Sequence, residues 1–210
     1  MPYAACSSFF KRQLQHASLR TRQISLTLDT RTAVSLLAAA LPAEPGVWAD
    51  LGAGSGTFTR ALVELLGPTG RIYAVDRDAR AVKGLARWAA REAPNVVAAQ
   101  ADITESLVLP DVPDASLDGM LLANVLHYVA DPAPVLRQLG RLLRPGGRVV
   151  VIEYDRRAAN RWVPDPLPIA RLAGLFAEGG FTEPTITARR PSAFSGEMYV
   201  AVGETSALLL

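Results

Sequence analysis

The sequence predicts an α/β domain in which a mostly parallel sheet of seven strands is covered by helices on both faces, a three-layer sandwich. From residue 32 onward, strand-length apolar runs alternate with helix-length amphipathic segments, the order in which crossover helices join parallel strands. The run VVVI at 149–152 is apolar at consecutive positions, which suits a strand buried on both faces. The last two strand-like runs have no helix between them, so we expect a hairpin whose final strand is antiparallel.

The predicted elements follow one another with recognisable ends. A first strand over 47–51 (VWADL) enters a glycine-rich turn, and the helix after it, over 57–66, stops at Gly67-Pro68. The later elements are strand 72–76, helix 79–91, strand 96–101, strand 117–123, helix 132–143, strand 148–153, helix 167–178 and final strands 182–188 and 198–202. Two long loops, 104–116 and 155–168, should emerge at the carboxyl edge of the sheet, where open α/β sheets bind ligands.

Composition excludes several classes of protein. The 210 residues are 50% hydrophobic with a net charge of +2, which fits one globular domain and does not indicate a nucleic-acid surface. No apolar stretch approaches the roughly 18–20 residues of a membrane span, so we expect a soluble protein. The single cysteine, Cys6, excludes an internal disulfide, and only His16 and His127 are histidines, so no metal centre is expected.

The first 31 residues differ in charge from the rest. No acidic residue precedes Asp29, whereas the segment contains Lys11, Arg12, Arg20 and Arg22. An acid-free, arginine-bearing N-terminus is typical of an organellar transit peptide, but it also suits a helical arm or lid over a site. We favour an arm over 1–31 and a ligand-binding domain over 32–210, and a cytoplasmic location because no secretory segment is present.

The strongest local motif is the glycine-rich turn at 50–56, DLGAGSG. Glycines allow close approach of the backbone to a ligand. The dinucleotide fingerprint requires a small residue at position 57, where this chain has threonine. Asp50, two positions before the first glycine, would repel a pyrophosphate and favour a ligand with positive charge. Asp76 ends the second strand, where a carboxylate can accept both hydroxyls of a ribose.

Five motifs in this order, VWADLGAGSG, VDRD, AQADITE, LLANVLHYV and LLRPGGRVVVIEYD, resemble those of class I S-adenosylmethionine-dependent methyltransferases. The resemblance runs from about residue 30 to residue 203. It implies a Rossmann-like fold with strand order 3-2-1-4-5-7-6, S-adenosylmethionine as the cofactor and S-adenosylhomocysteine as the product.

The resemblance also implies a role for each motif residue. Asp50 and the Gly52 backbone would hold the methionine ammonium, while Gly54 and Gly56 would line the loop beneath the cofactor. Asp76 would bind the ribose diol, and the stem of Arg77 would pack on the adenine. The remaining cofactor contacts would be the Asp102 carboxylate and the Ile103 backbone to the adenine, and Asn124 beside the methionine and the transferring methyl group.

The catalytic and acceptor residues are less determined by the sequence. His127 is the candidate general base, with Tyr128 beside it as a second candidate; local packing is the alternative for each. Glu153 and Tyr154 leave the fifth strand at the same edge and are candidates to orient an acceptor. Candidates from the following loop are Arg157 and Trp162, with Arg156 and Arg161 nearby.

Motifs of several methyltransferase subclasses are missing. The chain has Asn124-Val125 where amine methyltransferases of nucleic acids have Asn-Pro-Pro-Tyr, and Cys6 is outside the core that a cytosine enzyme would need. We therefore favour a small-molecule acceptor. The alternatives are an RNA methyltransferase that uses the basic arm, an oxidoreductase that binds NAD, and a non-catalytic module that keeps the fold. The oligomeric state stays open.

Overall fold

A seven-stranded sheet forms the centre of the computed structural model, which describes residues 28–192 and 196–206. Its strands are β1 (Val47–Leu51), β2 (Arg71–Asp76), β3 (Val96–Gln100), β4 (Leu117–Ala123), β5 (Leu143–Asp155), β6 (Thr185–Pro191) and β7 (Glu197–Glu204). Their order is β3-β2-β1-β4-β5-β7-β6. β1 to β5 pair in parallel, whereas β7 is antiparallel to both β5 and β6. The predicted topology, including the final hairpin, is confirmed.

Helices cover both faces of the sheet, which confirms the three-layer arrangement. They are α1 (Thr30–Leu37), α2 (Thr57–Leu66), α3 (Ala79–Glu92), α4 (Pro132–Gly140) and α5 (Leu172–Gly179). One hydrophobic cluster packs α1, α2 and α3 against the sheet, and the other packs α4 and α5 on the opposite face. Trp48 belongs to the first cluster and Ala49 to the second, because successive side chains of a strand point to opposite faces.

The predicted bounds of four elements are wrong by three residues or more at one end. α4 ends at Gly140 instead of 143, and β5 already begins at Leu143 instead of 148. Pro145-Gly146-Gly147 predicts a turn, but Leu143 still pairs with Leu117, and the extra residues are accommodated in a register shift before Gly119 meets Arg148.

The two other differences each lie beside a proline. α5 begins at Leu172 instead of 167, because extended Pro168 is followed by a short 3-10 turn, Ile169–Arg171. β6 begins at Thr185 instead of 182, directly after Pro184, which lacks an N–H group for a ladder.

Most of the arm expected over 1–31 lies outside the described residues. The described part begins at residue 28, and Asp29 caps α1 by accepting a hydrogen bond from the Thr32 N–H at 2.8 Å. The expected boundary between 31 and 32 therefore falls within α1. Among the residues that the structure describes, no helix has both the length and the apolar character to cross a membrane.

Candidate active site

The glycine-rich loop connects β1 to α2 at the carboxyl edge of the sheet. Gly52, Gly54 and Gly56 all have positive φ angles, of 81°, 53° and 87°. A side chain at Gly52 would meet Val125, since a Cβ there would lie 2.6 Å from Val125 Cγ2. The loop thus requires glycine both for its conformation and for its close approach to the segment after β4.

Hydrogen bonds within the protein already occupy several N–H groups of this loop. The N–H groups of 52 and 53 donate to the Val75 carbonyl at 2.8 and 2.9 Å, and that of Gly54 donates to Asp76 Oδ2 at 2.7 Å. A pyrophosphate needs such donors free. The loop is therefore poorly suited to a dinucleotide, in agreement with the threonine at position 57.

A cleft of about 220 Å³ opens beside the loop. Six of the nine predicted cofactor residues line it: Gly52, Asp76, Arg77, Asp102, Ile103 and Asn124. Sequence reasoning did not identify the further lining residues Ala101, Thr104, Val125 and Val129, which follow β3 and β4 directly. Their position after a strand of a parallel sheet was the signal that could have identified them.

Asp76 and Asp102 are the two carboxylates of the cleft. Asp76 accepts hydrogen bonds from the Gly54 and Asp78 N–H groups, both within 2.8 Å, so its carboxylate is fixed at the end of β2. Asp102 accepts from the Thr104 N–H and hydroxyl at 3.0 and 2.7 Å, and these bonds lower the pKa of Asp102. Arg77 lies 4.0 Å from Asp102 in an exposed ion pair.

Asp50, Gly54 and Gly56 do not line the cleft. Asp50 is 1% exposed and accepts a 2.5 Å hydrogen bond from the Thr59 hydroxyl. Burial raises the pKa of Asp50 to about 7, and the nearby Asp76 charge also raises it, while the Thr59 bond opposes both effects. The carboxyl group is thus behind the loop, within electrostatic range of the cleft.

Asn124 has the backbone conformation of a residue under strain. Its φ angle is 56°, and its side-chain oxygen is buried without a hydrogen-bond partner among the described residues. A buried amide oxygen without a hydrogen-bond partner costs free energy. Asn124 also lines both the cleft beside the glycine-rich loop and a second cavity, so this residue lies at their junction.

The second cavity, of about 190 Å³, has an aromatic lining. Its wall contains His127, Tyr128, Tyr154, Trp162 and Val163 besides Asn124. Tyr128 is 54% exposed and Trp162 is 56% exposed, and large apolar side chains are rarely so open to water. Because Asn124 and Tyr128 line both cavities, the two spaces are adjacent.

His127 and Glu153 form a buried pair beside this cavity. His127 Nδ1 lies 2.7 Å from Glu153 Oε2, and the His127 N–H donates to Glu153 Oε1 at 3.2 Å. With Nδ1–H directed at the carboxylate, the lone pair of the neutral ring is on Nε2. Nε2 has no hydrogen-bond partner among the described residues, whereas Glu153 is fully buried and lines neither cavity.

Sequence reasoning did not identify this pair, although His127 and Glu153 were each candidates. The two residues are 26 positions apart. The signal was the pairing of β4 with β5, where Ala123 lies beside Ile152, so the segment after β4 begins next to the part of β5 that contains Glu153. The contact between His127 and Glu153 could be recognised only from the register between β4 and β5, and neither sequence motif contains that information by itself.

The loop after β5 is attached to the site. The Asp165 N–H donates to the His127 carbonyl at 3.0 Å, and the Tyr199 hydroxyl donates to the Leu167 carbonyl at 2.7 Å. Trp162 lines the aromatic cavity, with the Arg161 guanidinium 4.2 Å from its ring centroid. Arg157, the other candidate of this loop, is exposed and lines neither cavity.

Comparison with known proteins agrees with this site. The sequence profile of the methyltransferase domain family matches residues 47–174. An uncharacterised 37.1 kDa protein in transposon TN4556 of Streptomyces fradiae is 34% identical over 183 residues, covering 78% of this chain and 52% of that protein. The ubiquinone/menaquinone biosynthesis C-methyltransferase UbiE of Pseudomonas aeruginosa is 33% identical over 113 residues, covering 53% of this chain and 43% of that protein.

The fold has a similar counterpart among solved structures. The 1,6-didemethyltoxoflavin-N1-methyltransferase of Burkholderia thailandensis, solved with its namesake ligand and S-adenosylhomocysteine, matches with a TM-score of 0.69. The match covers 98% of this chain and 93% of that chain at 23% identity. The chain spans about half the length of the two curated relatives. Since the profile covers more than half of the chain, the chain belongs to the family of S-adenosylmethionine-dependent methyltransferase domains.

Proposed function

We propose that the protein transfers a methyl group from S-adenosylmethionine to a carbon atom of a small planar acceptor, with His127 as the general base. The observation that carries this proposal is the adjacency of two unlike cavities, one acidic and one aromatic, that share Asn124 and Tyr128. When bound, S-adenosylmethionine would supply the methyl group: a bond forms between the acceptor carbon and the methyl carbon, the bond from the methyl carbon to sulfur breaks, and its electron pair stays on sulfur.

The acidic cleft fits a ligand that carries an ammonium and a sulfonium. Asp76 is proposed to accept hydrogen bonds from the ribose hydroxyls, since a carboxylate that already accepts two bonds retains further lone pairs. Asp102 and Ile103 are proposed to bind the adenine, with the Arg77 stem packed on it. We propose that Gly52 and, through its charge, Asp50 favour the ammonium, and that Asn124, which lines the cleft, lies beside the methionine end. Gly54 and Gly56 support the loop beneath the cofactor.

The His127–Glu153 pair supplies the base that such an acceptor requires. Glu153 fixes the ring so that Nε2 can take a proton from the acceptor, and its negative charge stabilises the imidazolium that results. A positioned base of this kind contributes about 10²–10⁴-fold to a rate. Glu153, proposed from sequence as an acceptor contact, is thus assigned as a positioning residue that acts through His127.

The aromatic cavity determines the shape of the proposed acceptor. Tyr128 and Trp162 offer two partly exposed rings at its mouth, which suits stacking on a flat ring. The name of the Pseudomonas relative specifies carbon methylation in quinone biosynthesis. We therefore propose a hydroxylated aromatic or quinol-like acceptor, in which removal of a proton makes a ring carbon nucleophilic.

Labelled methyl transfer tests the proposal. The purified chain is incubated with methyl-labelled S-adenosylmethionine and either 1,4-naphthohydroquinone or a metabolite extract, and products are identified by mass. We expect a small carbon-methylated product, with His127→Gln lowering the rate about 10²–10⁴-fold. Calorimetry with S-adenosylhomocysteine is the control, and the affinity of the variant should stay within about twofold of the wild type because His127 does not line the cofactor cleft. Label found only in RNA or protein, or an unimpaired His127→Gln variant, would contradict the proposal.

A further inference from the structure

Tyr154 is a polar residue of the aromatic cavity without a role in the proposed base catalysis or stacking. It follows Glu153 in β5, and its ring centroid lies 6.0 Å from that of His127. The ring packs against the hydrophobic cluster on the α1–α3 face of the sheet, so its position is fixed by the core. Its other side lines the cavity.

The hydroxyl group of Tyr154 is available to a ligand. It makes no hydrogen bond among the described residues and is not one of their buried unpartnered atoms, and the Tyr154 side chain is partly exposed and lines the cavity. Burial, followed by the nearby charge of Glu153, raises the pKa of Tyr154 above its ordinary value of 10.0. The group therefore stays protonated at neutral pH and acts as a hydrogen-bond donor.

We propose that the Tyr154 hydroxyl donates a hydrogen bond to an oxygen atom of the acceptor, next to the carbon that becomes methylated. This inference rests on the proposed function. When His127 Nε2 takes the proton of the acceptor hydroxyl group, the negative charge is shared between that oxygen and the ring carbon that attacks the methyl group. After the transfer, the ring carbon loses its hydrogen to water as a proton, and His127 returns its proton to the oxygen, so one proton is released in all. A fixed O–H donor directed at the developing charge stabilises it without reorganisation. The acceptor is thus specified as a phenol, enol or quinol and not as an amine.

Tyr128 is the competing donor in the same cavity. Its side chain is 54% exposed, so its hydroxyl is accessible to water, which competes for any hydrogen bond it makes. Tyr154 is only partly exposed and is held by the core on one side. The difference in burial assigns the oxygen contact to Tyr154 and a stacking contact to Tyr128.

The probe for this site is 4-nitrophenol, whose ionised form is coloured. It is titrated into the protein saturated with S-adenosylhomocysteine, at a pH where most of the free probe is neutral, so no methyl transfer takes place. We expect the bound probe to be largely ionised, with its proton on the protein. Tyr154→Phe should lower the ratio of ionised to neutral bound probe about tenfold, because the lost bond is one to a charged oxygen.

Matched substitutions decide the assignment. Tyr73→Phe removes a hydroxyl from a core tyrosine that lines neither cavity, and its ratio should equal that of the wild type. An unchanged ratio in Tyr154→Phe, a larger loss in Tyr128→Phe, or a neutral bound probe in the wild type would each overturn the inference. Failure of the proposed function would show separately, as absence of methyl transfer to naphthohydroquinone in the wild type.

Discussion

Asp50 is a fully buried carboxyl group at the end of β1, and its hydrogen bond from Thr59 does not compensate for the loss of water. The pKa of Asp50 is raised from 3.8 to about 7, so between these pH values the folded protein holds a proton at Asp50 that the unfolded chain has lost. The contribution of this residue to stability is fully present below about pH 4, where Asp50 is protonated in both states. It is lost as the pH rises toward 7.

Asp50→Asn should therefore stabilise the protein at high pH. The difference in free energy of unfolding between variant and wild type should grow by about 2–3 kcal/mol between pH 5 and pH 8, because the neutral amide does not have to ionise in the core. Urea denaturation at both pH values measures it. Glu44→Gln, at an exposed position before β1, is the control and should change stability by less than about 0.5 kcal/mol. A pH-independent difference for Asp50→Asn would contradict the account.

Single residues also show what could be predicted from the sequence. Asp76, Asp102 and Asn124 were predicted because each lies within a motif at the end of a strand or within two residues after it, and all three line the cleft. The His127–Glu153 contact was not identified, since it depends on the pairing of two strands whose residues are far apart in the chain. The burial of Asp50 behind the loop also depends on tertiary packing that no motif contains.

At the scale of elements, the connection between β1 and α2 combines strain with close packing. Gly52 and Gly146 have similar φ angles, 81° and 70°, but different surroundings. A Cβ at Gly52 would lie 2.6 Å from Val125, whereas a Cβ at Gly146, in the exposed part of β5, would have nothing within 4 Å. Comparing the two positions therefore separates the cost of a positive φ angle from the cost of the clash.

Gly146→Ala should destabilise the protein by about 1–2 kcal/mol, the cost of a positive φ angle for alanine. Gly52→Ala should cost about 1–3 kcal/mol more, because Val125 is β-branched and cannot move away easily. It should also weaken S-adenosylhomocysteine binding, since Val125 lines the cleft. Thermal unfolding and calorimetry measure the two effects. Equal stability losses in both variants would show that Val125 accommodates the methyl group.

The bounds of elements were predicted well where strands are buried and poorly where proline or glycine lies beside a strand. β1, α2 and β4 have the predicted bounds. β5 continues through Pro145-Gly146-Gly147, because pairing with β4 outweighs the local turn preference of these residues. Local signals of this kind are correct only when the tertiary contacts agree with them.

At the scale of the whole molecule, the strand order places the site. β1 and β4 are neighbours in the middle of the sheet, and the chain continues from β1 to β2 on one side and from β4 to β5 on the other, so a crevice opens above β1 and β4. The residues that end or follow β1, β2, β3 and β4 all meet in this crevice. The order itself was implied by the family resemblance, because periodicity predicts strands but not their neighbours.

The proposed function requires that this crevice bind S-adenosylmethionine through Asp76. Calorimetric titration with S-adenosylhomocysteine and, in parallel, with NAD tests it most directly, using the wild type, Asp76→Ala and the control Asp78→Ala. Asp78 is a neighbouring carboxylate that caps α3 and does not line the cleft. We predict that the wild type binds S-adenosylhomocysteine and not NAD. Asp76→Ala should weaken the affinity for S-adenosylhomocysteine at least about tenfold, because charge-assisted hydrogen bonds are lost. The affinity of Asp78→Ala should stay within about threefold of the wild type. Unchanged affinity in Asp76→Ala, or binding of NAD in place of S-adenosylhomocysteine, would contradict the claim.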